Sequence, residues 1–132
     1  MKLLSNYPAE ILILFFLIIT YVQSSIDKIT DWKGNIAFIK DHFKNSPLKN
    51  YVPVLLAVVL VVEIIASILM LIGVYQIYTS EAKEIALLGI ELSAITLLFL
   101  LVGQRLAKDY AGAMSLTVYF ILTVIGVYLL NN

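Results

Sequence analysis

Three carboxylates interrupt the apolar stretches of this 132-residue chain: Glu10, Glu63 and Glu91. An ionisable side chain is costly inside a membrane bundle, so such a residue marks a ligand, proton or pairing site by default. Glu63 is the deepest of the three. It follows Pro53 by ten residues, which at about 1.5 Å per residue is roughly 15 Å along a helix, close to a bilayer centre. Two states would satisfy it there. It is either a neutral carboxyl hydrogen-bonded to Tyr119, Thr96 or Ser67, or an anion paired with a cation from another span. The plain reading is an interhelical hydrogen bond, and the sharper one is a ligand or proton site that includes Glu91. Ala86, Gly89 and Ser93 are small residues at near-helical spacing and allow close helix approach, which turns Glu91 toward the bundle. Glu10 reads as an interfacial carboxylate.

A second polar group gathers at the opposite membrane face. The end of the first apolar stretch carries Gln23, Asp27 and Lys28, and the third loop carries Gln104, Arg105, Asp109 and Tyr110. Asp27 with Arg105, or Lys28 with Asp109, would pair at that depth. Such pairs fix packing when partly buried and contribute little when exposed. The same cluster would also suit an anion or a quinone carbonyl.

Other chemistry is excluded by composition. Cysteine is absent, which removes disulfides, thiol catalysis and iron–sulfur ligation. His42 is the only histidine, so no bis-histidine haem, His-based metal site or Ser-His-Asp set can be built. The six glycines are dispersed, with no phosphate-binding loop or dinucleotide fingerprint. No catalytic residue and no metal ligand is assigned, and the chain is not expected to be an enzyme by itself. Nine basic residues balance nine acidic ones, which leaves no field to attract nucleic acid.

The elements that must position these residues are membrane helices. The chain is 61% apolar and 14% charged, against about 25% charged in a soluble domain. Four stretches reach the roughly 20 apolar residues a span requires, at about 8–26, 52–78, 85–104 and 113–130. The expected fold is therefore all-α: a single membrane domain over 1–132, an integral four-helix bundle. The first stretch lacks a clear small-x-small cleavage site and reads as a retained span. Pro8 and Pro53 suit first helical turns, and Asn50 would cap the second span. Tyr7, Tyr75, Tyr78 and Tyr128 fall near one face and Tyr21, Trp32, Tyr51 and Tyr110 near the other, as aromatic belts do. In the long first connection, Asp31 is an N-cap candidate for a helix over about 32–45, with Trp32, Ile36, Ile39 and Phe43 on one side. This reads as an amphipathic helix in the membrane interface; a soluble cap over the bundle is the alternative. Lys28, Lys33, Lys40, Lys44, Lys49, Arg105 and Lys108 lie on one side, and Lys2 and Lys83 on the other. The positive-inside rule then places the first and third loops in the cytoplasm and both termini outside.

The segment Gly103-Gln104-Arg105-Leu106-Ala107-Lys108-Asp109-Tyr110-Ala111-Gly112-Ala113 resembles the third-loop signature of the DoxX family of small bacterial membrane proteins. The stretch Ser25-Ile26-Asp27-Lys28-Ile29-Thr30-Asp31-Trp32 is similar too, as is Glu63 followed ten residues later by Gly73. Ser25 stands where many members have glycine. The resemblance implies a multi-pass protein of the bacterial inner membrane, a non-catalytic accessory or structural subunit beside respiratory or envelope machinery. Its expected partners are membrane lipids and other membrane-protein subunits. No cofactor is required, although a quinone or lipid could bind. The rival expectations are a quinone-binding component of a membrane oxidoreductase and a small transporter or proton pathway using Glu63 and Glu91.

Overall fold

The structure, a computed structural model, describes residues 7–132; Lys2, counted in the charge balance, lies outside the described residues. Among the described residues five α-helices follow one another: α1 Pro8–Thr30, α2 Trp32–His42, α3 Val52–Ser80, α4 Glu84–Leu106 and α5 Tyr110–Leu130. A 3-10 turn, Lys49–Tyr51, leads into α3. No strand occurs among the described residues. All but α2 are long and apolar enough to cross a membrane.

Local sequence accounts for most of the boundaries. Pro8 and Pro53 occupy first turns, where a missing N–H removes no helical bond. Asp31 caps α2, its Oδ1 accepting from Gly34 N at 3.2 Å. Three expected boundaries are corrected. α1 runs on past 26 to Thr30, because Gln23, Ser24, Asp27 and Lys28 end the apolar run without breaking the helix. α2 stops at His42 rather than 45. Asn50 does not cap α3; it lies inside the 3-10 turn, and no side chain caps that helix. The two short connections each use a left-handed residue, Glu81 (φ 59°) after α3 and Lys108 (φ 62°) after α4.

The spans form a four-membered ring. α1 packs against α3 and α5, and α4 packs against both of the same helices, so α1 and α4 face each other across the diagonal. The α3–α4 contact is close, and small residues explain it. A Cβ on Gly73 would stand 2.6 Å from Ala86 N, and one on Gly89 would stand 2.9 Å from Met70 N. Lipid tails are as apolar as leucine, so spans gain little from hydrophobic burial against each other and rely on such close packing. The interior is filled by Ile11, Leu14, Leu17, Met70, Ile77 and Ile90. The exterior is apolar along every span, with Phe16, Ile19, Val58, Ile68, Phe99 and Val118 exposed. A surface of that kind would aggregate in water. It suits a multi-pass membrane protein.

Candidate functional site

Helix direction explains the central feature of the bundle. Side chains lean toward the N-terminus of their own helix. α1 and α3 are antiparallel neighbours, so Lys28, in the last turn of α1, leans back toward the middle of the bundle. Glu63 on α3 leans the opposite way, and the two meet. Lys28 Nζ lies 3.1 Å from Glu63 Oε1 and 3.5 Å from Oε2. The same ammonium donates to Ser24 Oγ, one turn back, at 2.6 Å. The pair is enclosed, with side-chain exposures of 14% for Lys28 and 3% for Glu63. Of the two expected states of Glu63, the paired one is therefore present. Ser67 donates to the Glu63 backbone carbonyl rather than to its carboxylate, and Thr96, also buried, donates to Leu92 O.

A cavity of about 160 Å³ lies beside the pair, and all four spans line it. α1 supplies Leu17, Thr20, Tyr21 and Ser24; α3 supplies Glu63; Leu97, Leu100, Leu116 and Tyr119 come from α4 and α5. Its polar groups are mostly engaged. Thr20 donates to Phe16 O, and Tyr21 donates across the diagonal to Ser93 O at 3.1 Å. The Tyr119 hydroxyl makes no hydrogen bond with the described residues, while its ring lies 6.1 Å from that of Phe16. The arrangement offers an aliphatic wall, one uncommitted phenol and one paired charge. The cavity's volume is about half the roughly 300 Å³ at which small-molecule sites usually begin. Among the described residues no group of three or more His, Cys, Asp or Glu is placed to hold a metal ion.

Other expected site residues are placed elsewhere. Glu91 is exposed on the outer surface of α4. The inward residues Gly89 and Ser93 each stand two positions from it, about 200° around a helix, so the stripe that packs on α3 turns Glu91 outward. Tyr21 is buried and is not part of an interfacial belt. Gln23 and Asp27 are exposed, and neither Asp27–Arg105 nor Lys28–Asp109 forms. Arg105 lies instead over the Tyr110 ring, 5.0 Å from its centroid. The reason is the diagonal placement of α1 and α4, together with the inward lean of Lys28.

Asp109 has two roles that its spacing with charged neighbours did not suggest. Its Oδ1 caps α5, accepting from Gly112 N at 2.9 Å, and its Oδ2 lies 3.1 Å from His42 Nε2. His42 Nε2 is also 3.4 Å from Gln104 Oε1, so the end of α2 is tied to the corner between α4 and α5. The cap was legible, since Asp109…Gly112 repeats the Asp31…Gly34 spacing. Trp32, Ile36, Ile39 and Phe43 are half-buried, with Phe43 packed beside Gly103, whereas Phe38 is 69% exposed.

Comparison with family models, with curated proteins and with solved structures finds no match to this chain.

Proposed function

We propose that this chain is a non-catalytic, four-span subunit of the DoxX type, held within or beside a larger respiratory or envelope complex of the bacterial inner membrane. The observation that carries the reading is the Lys28–Glu63 pair. The acid most able to do chemistry in the bundle has its charge matched by another span. Removing two charges from water is costly, and the return here is a fixed register between α1 and α3. The outward position of Glu91 separates it from Glu63, which counts against a relay through both. The third-loop segment 103–113, with its likeness to the DoxX signature, supports the same assignment. In this reading the basic first and third loops face the cytoplasm, both termini face outward, and α2 lies in the interface with Phe38 toward lipid.

The cavity beside the pair favours a second reading, a quinone-binding component, with the Tyr119 hydroxyl as donor to a quinone carbonyl. Gentle detergent extraction followed by identification of every co-eluting species separates the alternatives. Larger membrane subunits in fixed stoichiometry are the expected result. A chain that elutes alone with quinone in its organic extract would replace the first reading with the second. A chain that elutes alone and conducts protons in liposomes would overturn both.

A further inference from the structure

A second concavity lies at the start of α3, outside the bundle. It measures about 310 Å³ and is lined by Lys40, Lys44, Lys49, Asn50 and Pro53. α2 supplies Lys40, the chain just after it supplies Lys44, and the 3-10 turn brings Lys49 and Asn50 to the same hollow. Lys40, Lys44 and Lys49 all line it, so three cationic side chains share one hollow. The counter-charge seen is Asp41, 3.9 Å from Lys44 Nζ, and both groups are exposed, so it offsets little. Beyond Pro53, α3 presents Val54, Leu55 and Val58 to its surroundings. The hollow therefore joins a cationic floor to the beginning of an apolar helix surface.

We propose that this hollow binds the phosphate headgroup of an anionic phospholipid, with the acyl chains lying along the exposed start of α3. Basic pockets beside spans on the cytoplasmic side suit such headgroups. A free phosphate would meet the same lysines, but it would leave Val54, Leu55 and Val58 without a role. The proposal rests on the membrane placement of the chain and is independent of its role as a subunit.

The test uses the full chain purified in neutral detergent, with native mass spectrometry of lipid retained from mixed micelles. Phosphatidylglycerol is compared with phosphatidylcholine, and inorganic phosphate is added as competitor. Each lysine is worth about fivefold at an anionic surface, so the Lys40→Gln, Lys44→Gln, Lys49→Gln triple variant should retain phosphatidylglycerol about a hundredfold less. Lys33→Gln, an exposed charge on α2 outside the hollow, should bind like the wild type. Phosphatidylcholine should not be retained, and phosphate should not displace the lipid. Equal retention by the triple variant, or equal retention of phosphatidylcholine, would overturn the proposal. Displacement by phosphate would reassign the hollow to a free anion and overturn the lipid. If circular dichroism shows the triple variant misfolded, Lys44→Gln and Lys49→Gln singly make the same comparison, each with a loss of about fivefold expected.

Discussion

The Lys28–Glu63 pair predicts an asymmetric double-mutant cycle. Replacing Lys28 with Met leaves the Glu63 carboxylate, 3% exposed, without its cation eleven residues into α3. Breaking a truly buried pair costs about 3–5 kcal/mol. Lys28 retains 14% exposure, so the lower part of that range, about 3 kcal/mol, is expected. Replacing Glu63 with Leu is milder. Lys28 lies two residues from the end of α1, so its long stem can turn the ammonium outward to a polar surrounding, and the loss is that of an interhelical polar contact, about 1–2 kcal/mol. The double variant, Lys28→Met with Glu63→Leu, removes both charges at similar volume and should lie within about 1 kcal/mol of the wild type. The implied coupling is roughly 3 kcal/mol, well outside the scatter of independent sites. Reversible unfolding in mixed micelles, followed by circular dichroism, measures all four corners. Additive single losses would mean that the two groups do not interact in the folded bundle. A greater loss for Glu63→Leu than for Lys28→Met would refute the argument from depth.

Three further outcomes follow from the packing and the charges. Gly73→Leu would drive a side chain into the Ala86 backbone; overpacking of this kind costs about 1–3 kcal/mol, whereas Leu71→Ala on the exposed side of α3 should leave the unfolding midpoint almost unchanged. His42→Ala removes the tie to Asp109 and Gln104, worth about 1 kcal/mol at this exposure, so amide exchange should quicken about fivefold across α2 alone, and equal acceleration in every helix would refute a local role. A cysteine at Lys40 should be protected from an impermeant thiol reagent in intact cells while one at Lys83 is labelled, and the reverse pattern would invert the proposed orientation.

Much of the fold was legible because apolar runs of span length have few alternatives in a membrane. The ends were less legible. α1 continues to Thr30 through residues that are polar but helix-compatible, so hydropathy fell before the helix did. Glu63 was identifiable from depth alone, and a cation from another span was one of its two expected states. That the cation is Lys28, 35 positions earlier, follows from antiparallel packing of α1 on α3 and from side-chain lean, neither of which a linear pattern contains. Glu91 shows the opposite lesson. The small residues Ala86, Gly89 and Ser93 form a buried contact stripe, as their spacing implies, but the 100° step per residue puts Glu91 behind that stripe. Tyr21 resembled a belt residue by its position near a span end, yet it reaches across the bundle to Ser93 O because its face of α1 turns inward.

If the paired charge is purely structural, both charges can be removed together without loss of function. The double variant Lys28→Met, Glu63→Leu is expressed in place of the wild-type chain, the proposed complex is purified through it, and both its composition and its turnover are measured. The account predicts the same subunits in the same stoichiometry with turnover unchanged, because the bundle needs the two charges only to match each other. A complex that assembles fully with the double variant and yet loses its turnover would contradict the account and make the pair a working site.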